Sequence, residues 1–231
     1  MNHPEPDSSW TGFAPSAAAA TRPNTRSGRL FRNPLLESAT RTRLAWPVGT
    51  FTTLSAAMLW HAHGQYRFGA LAAAFLLGLA FFTFVEYIVH RWLYHIAPST
   101  PKRERLQYVM HGLHHEQPRD KSRLAMPLIM SLSVASLLMV LFRWVGGPIG
   151  LPFGAGFLLG YATYLFVHYC VHAFRPPRNF LRVLWKHHHL HHYASDDKAF
   201  GVSSPLWDWV FGTMPELPAK RKRPAADTGA Q

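Results

Sequence analysis

Cysteine is almost absent from this chain, and the single one, Cys170, leaves no disulfide framework and no thiolate-held metal cluster. It falls within an apolar run and reads as a small packing residue. Charge is scarce as well: 16% of the 231 residues are charged and 48% are hydrophobic, a balance that leans away from an ordinary soluble domain. No short apolar core followed by a small-residue cleavage site opens the sequence, so no secretory leader is expected. Residues 1–44 lack a helical apolar period and are rich in Pro, Ser, Ala, Thr and Arg. They are expected to form a disordered basic cytoplasmic tail, and residues 219–231, which include KRKR, a second one.

What is present is bunched apolar sequence. Four largely apolar runs lie at 46–62, 68–89, 124–145 and 149–171. A helix needs about 17–25 residues to cross roughly 30 Å of hydrocarbon, so four transmembrane helices are expected; the first is the shortest and carries Pro47. HGQYR and GGPIG are turn-prone links that pair the runs into two hairpins. With the N-terminus on the cytoplasmic side, all of the 24 Lys and Arg residues except Arg67 and Arg143 fall on that side, as the positive-inside rule requires. Topology thus explains the formal charge of +12, and nucleic acid is not expected as a partner. The fold class implied is all-α and integral to the membrane, with residues 45–218 as the membrane domain.

Ten of the fifteen histidines gather in four clusters: HRWLYH (His90, His95), HGLHH (His111, His114, His115), HYCVH (His168, His172) and HHLHH (His188, His191, His192). Residues three and four apart share one helix face, so each HxxHH presents three imidazoles together and HYCVH two. The spacing of five from His90 to His95 calls for a helix end or a small break. Imidazole is the commonest protein metal ligand, and an unpartnered histidine at a membrane is costly. Ten ligands are too many for one ion; about five for each of two divides them naturally, and a metal pair can bind and reduce dioxygen. All four clusters fall on the cytoplasmic side, where a helical cap is expected to enclose the site. His61 and His63 fall at the opposite side, His3 in the tail, and His187 and His189 on other faces of the last cluster's helix, as supporting or exposed residues.

The segments EYIVHRWLYH, YVMHGLHHEQPRDKSRLAMP, HYCVH and HHLHHYASDDKAFGVSSPLWDWVFGT resemble the fatty acid 2-hydroxylase branch of the fatty acid hydroxylase and sterol desaturase superfamily, over roughly residues 80–216. The resemblance implies that His90, His95, His111, His114, His115, His168, His172, His188, His191 and His192 are the metal ligands. It also implies two iron ions, for which zinc can substitute in a purified sample, and dioxygen as co-substrate. The implied reaction is hydroxylation at carbon 2 of a long fatty acyl chain, typically that of a ceramide or related sphingolipid. Two departures stand out. The 44-residue tail is too short for the cytochrome b5-type domain of many eukaryotic relatives and lacks HPGG, so an external electron donor is expected, cytochrome b5-type or ferredoxin-type with its reductase. Leu165 stands where relatives often carry an acidic residue.

Two acidic residues beside the ligands are further candidates. Glu86 lies one turn before His90, where it could accept from a ligand's distal N–H or pair with an arginine. Asp208, between Trp207 and Trp209, could anchor a lipid headgroup, or the segment could be an interfacial aromatic belt. Tyr87, Tyr193, Asp196 and Asp197 are weaker candidates of the same kind. Sterol or carotenoid oxidation on the same scaffold, a metal transporter and a non-enzymatic metal protein remain alternatives. The location is an integral membrane one, either a bacterial inner membrane or the endoplasmic reticulum.

Overall fold

The computed structural model describes residues 29–216. Among them all regular structure is helical. The first helix, α1 (Pro34–Ala39), is started by Asn33, whose side chain accepts from Leu35 N at 2.8 Å, and by Pro34 with its preset φ. Glu37 on α1 is only 7% exposed. It accepts from Leu30 N and Phe31 N at 2.9 and 3.1 Å, and it pairs with Arg41 and Arg123. Residues 29–44 therefore depart from the expected disordered tail: the buried Glu37 ties α1 to Leu30, Phe31 and the distant Arg123, contacts that local composition does not reveal. Residues 1–28 and 217–231, with the rest of the tail expectations and His3, lie outside the described residues.

Four long helices follow: α2 (Ala45–Ala62), α3 (Phe68–Ile88), α6 (Leu128–Gly146) and α7 (Gly150–Ala173). Between α3 and α6 lie the short α4 (Pro101–Gln107) and α5 (Leu113–Glu116), and after α7 come α8 (Arg182–Tyr193) and α9 (Leu206–Val210). The chain reverses after α6 at Gly147, whose φ of +58° favours glycine. By length and hydropathy two stretches are able to cross a bilayer, Phe68–Tyr94 and Lys121–Ala173, the second holding both α6 and α7. The outward faces of the long helices are apolar: Trp60, Phe68, Ile129, Leu137 and Trp144 are all more than two-thirds exposed. Such a surface suits hydrocarbon rather than water.

Helix α7 is central and packs against α2, α3 and α6. Ser55 Oγ on α2 donates to Ala155 O at 2.8 Å, and Phe51 packs on Leu158 and Ala162, so α2 runs antiparallel to α7. The opposite relation holds for α3. A Cβ on Gly78 would stand 1.9 Å from Phe153 O, and one on Gly156 would stand 1.9 Å from Phe75 O. Backbone therefore meets backbone at these two glycines, as small residues allow between membrane helices, and farther on Phe82 packs against Gly160. The parallel course of α3 and α7 brings their C-terminal ends, and the histidines there, to one end of the bundle.

Replacing Gly156 by leucine is expected to destabilise the fold by about 1–3 kcal/mol through overpacking and to lower the thermal unfolding midpoint in detergent. Gly69→Leu is the control: nothing lies within 4 Å of a Cβ there, and its midpoint should not change.

Candidate metal centre

The histidine clusters owe their convergence to two local departures from α-helix. After Ile88 the chain winds into a π-helical turn, Val89–Tyr94, and a second one, Tyr108–Gly112, links α4 to α5. On a regular α-helix residues five apart diverge by about 140°; a π turn, closing i→i+5 bonds, swings them back toward one face. His90 and His95 are thereby able to serve one site. His111 sits in the second π turn, while His114 and His115 follow on α5. His168 and His172 end α7, and His188, His191 and His192 lie along α8.

The ten side chains form two groups of five, each with its ring nitrogens within 4.8 Å of one another: His90, His95, His111, His115 and His191; and His114, His168, His172, His188 and His192. Each HxxHH cluster is divided between them. In HGLHH the i,i+4 pair His111 and His115 joins the first group and His114 the second; in HHLHH the pair His188 and His192 joins the second and His191 the first. Spacing showed that three imidazoles share a face, but not that a 100° step separates them into two sites. The groups adjoin, with the rings of His115 and His192 stacked at 4.3 Å. His61 and His63 are exposed beside the α2–α3 turn and take no part.

Within the groups, Nε2 faces Nε2: 3.0 Å between His90 and His111, 3.1 Å between His95 and His191, 2.8 Å between His172 and His188, 3.1 Å between His168 and His114. A carbonyl can only accept, so the contacts of His90 Nδ1 with Phe200 O, His191 Nδ1 with Lys198 O and His168 Nδ1 with Leu124 O put the proton on Nδ1. The Nε2 of each of these rings is then a lone pair directed at its neighbours. Nitrogen ligands about 2.1 Å from a common ion stand roughly 3 Å apart, so this donor set fits a cation in each group.

The electrostatics point the same way. Burial, reinforced by neighbouring histidines, holds His111, His114, His188, His191 and His192 well below the ordinary imidazole range, and burial with His95 beside it takes His115 down to about 3. Neutral imidazoles are the form that binds metal. Tyr94 stacks on His111 with centroids 5.0 Å apart, and Tyr164 on His168 at 5.6 Å, so one phenol ring covers a histidine of each group.

Neither acidic candidate does what its sequence position suggested. Glu86 is not bonded to a histidine: it accepts from Val202 N at 2.7 Å, from Ser203 N at 2.8 Å and from the Ser203 hydroxyl. Asp208 is 0% exposed and so no headgroup anchor. It accepts from Phe200 N and Gly201 N at 2.8 and 2.7 Å, from Thr213 Oγ1 at 2.7 Å and from His187 Nε2 at 2.9 Å. Tyr87 is buried, bonded to Thr213 Oγ1 and reached by Arg91. These residues hold the segment 198–213 against the end of α3. Tyr193 packs near His189 and His192, and His189 Nδ1 bonds Trp185 O one turn back. Asp196 lies near enough to act on the His95 charge, whereas Asp197 acts on the exposed Lys198. Sequence reading missed the carbonyls of Lys198 and Phe200, which have no side-chain signature.

A family model described as fatty acid hydroxylase matches residues 75–213, more than half of the chain. The chain belongs to the fatty acid hydroxylase family. It is 36% identical over 149 residues to dihydroceramide fatty acyl 2-hydroxylase FAH1 of Arabidopsis thaliana, covering 64% of this chain and 62% of that one. It is 39% identical over 148 residues to fatty acid 2-hydroxylase of Mus musculus, covering 61% of this chain and 39% of the relative. The chain thus spans less than two-thirds of the length of these curated relatives. A solved structure described as full length scs7p, with only the hydroxylase domain visible, superposes with a TM-score of 0.75 at 29% identity, covering 84% of this chain and 74% of that one.

The depressed histidines carry a pH signature. Unfolded chain takes up protons on these rings near pH 6.5, while the folded chain resists doing so. Folding stability of the metal-free protein should therefore be fully present above about pH 6.5 and fall as the pH drops below it. Thermal unfolding in detergent is expected to show a lower midpoint at about pH 5 than at about pH 7.5; equal midpoints would count against the neutral, buried state.

Proposed function

We propose that this chain is an oxygen-dependent hydroxylase acting at carbon 2 of long fatty acyl chains, with the acyl group of a ceramide or related sphingolipid as substrate. The observation that carries the reading is the pair of five-histidine groups in a chain of this family. The names of the relatives, a dihydroceramide fatty acyl 2-hydroxylase and a fatty acid 2-hydroxylase, supply carbon 2 and the lipid class.

In this reading the ten histidines hold two iron ions. Iron supplied with electrons and dioxygen provides the chemistry that replaces a C–H bond by C–OH, which imidazole alone does not. The protein contributes ten imidazoles gathered in two groups, six of them buried. His90 and His191 are oriented through their Nδ1 protons, Tyr94 and Tyr164 cover rings of the two groups, and the segment 198–213 closes over the end of α3. Helices α2, α3, α6 and α7 serve as four membrane spans, with the histidines on the cytoplasmic side where almost all Lys and Arg residues fall. Electrons come from a separate cytochrome b5-type or ferredoxin-type protein.

The test is mass spectrometry of total lipids from a host supplied with ceramides and free fatty acids, expressing either the wild type or His111→Ala. The expected result is an oxygen added at carbon 2 in the wild type and its loss in the variant. Oxygen found on a sterol or carotenoid instead would move the protein to another reaction on the same scaffold.

A further inference from the structure

The two histidine groups have the same composition, but the protein supports them unequally. In the first, two rings are oriented by carbonyls of one short segment: His90 Nδ1 donates to Phe200 O and His191 Nδ1 to Lys198 O, the latter at 2.8 Å. Ala199, between these two, is the one non-glycine residue with positive φ among the described residues, at +59°. Its left-handed turn lets the carbonyls on either side of it reach different rings. That conformation is disfavoured for an L-residue with a Cβ, and the surroundings hold it. Ala199 N donates to Thr213 O at 2.9 Å, Asp208 receives the next two backbone N–H groups, and Glu86 the two after those. Every residue from 199 to 203 thus has its N–H fixed.

The second group has no such brace. Its one carbonyl contact, from His168 Nδ1 to Leu124 O, is long at 3.4 Å. Three of its members, His114, His188 and His192, have a buried Nδ1 with no hydrogen-bond partner among the described residues, whereas the first group has none in that state. A carbonyl on a ligand's distal N–H fixes the ring and raises its basicity, and losing such support typically costs about 10–100-fold in metal affinity.

We propose that the centre is unequal by construction: the segment 198–203 preorganises the first group into the site that retains its ion, while the second group is ordered by its ion and releases it first. Ala199, Asp208 and Glu86 are positioning residues, acting on the ligands through backbone carbonyls. The inference rests on the two-metal reading of the site.

The experiment uses the full chain in detergent, loaded with zinc and challenged with excess chelator, with protein-bound metal followed over time by inductively coupled plasma mass spectrometry. The wild type should bind two equivalents and release them in two phases separated by about tenfold or more. His95→Ala should remove the slow phase and His192→Ala the fast one. Asp208→Asn replaces an acceptor oxygen with an N–H donor facing backbone N–H groups; it should speed the slow phase by about 10–100-fold and leave the fast phase unchanged, a selectivity that general destabilisation would not give. Should Asp208→Asn fail to fold, Ala199→Val should act in its place, with Ala199→Gly keeping the slow phase. Two equivalents released in a single phase, both phases accelerated alike, or the slow ion assigned to the second group would each overturn the inference and leave the two-metal reading standing. Fewer than two equivalents bound by the wild type would overturn both.

Discussion

Ten imidazoles that point their nitrogens at one another are the constraint on which the rest of this molecule depends. Lone pairs about 3 Å apart repel unless a cation or proton stands between them, and burial suppresses the protonated form at His111 and His191. The scaffold must therefore hold together groups whose lone pairs repel. It does so from three directions in each group. Two parallel helices deliver His90, His168 and His172 at one end, the π turn and α5 deliver His111, His114 and His115, and α8 lays His188, His191 and His192 across both groups.

The parts of the chain that look least like a catalytic site carry much of that load. The segment after α8 contributes no histidine, yet its backbone orients two of the rings, and it is pinned to α3 by Glu86, Tyr87 and the Trp207–Thr83 hydrogen bond. Near the second group, Glu37, Arg41, Asp120 and Arg123 form an ion-pair cluster that ties α1 to the turn just before Leu124, whose carbonyl faces His168. Glu37, Glu86 and Asp208 hold backbone, and ten imidazoles are left to face the centre.

The histidine clusters were legible in the sequence because spacings of three and four are written directly by helix geometry. The apolar runs were legible for the same kind of reason, since composition over a window is a local property. What was not legible depends on partners distant in sequence. The π turns at Val89–Tyr94 and Tyr108–Gly112 need surroundings that sustain an unfavourable local hydrogen-bond pattern. The flanking tryptophans suggested a surface role for Asp208, but only Trp209 is exposed, while Trp207 turns inward to Thr83 and Asp208 beneath them is sealed. Ala199 gave no hint of a left-handed backbone, because that conformation is imposed by Thr213 and Asp208 from farther along the chain. Leu165, which departs from the pattern the resemblance implied, is buried in the helix packing.

The close approach of α3 and α7 at Gly78 and Gly156 has a consequence for how this chain can vary in length. His90 and His168 each lie about 18 Å of helix beyond those glycines, so the contact works as a common origin from which two arms are measured to the centre. One residue inserted in either arm turns everything past it by about 100° and lifts it about 1.5 Å, taking a histidine out of its group. An insertion on the far side of the glycines moves only the outer ends of the helices. Changes of length should therefore collect at the HGQYR and GGPIG turns and be excluded from the half of the bundle that faces the histidines.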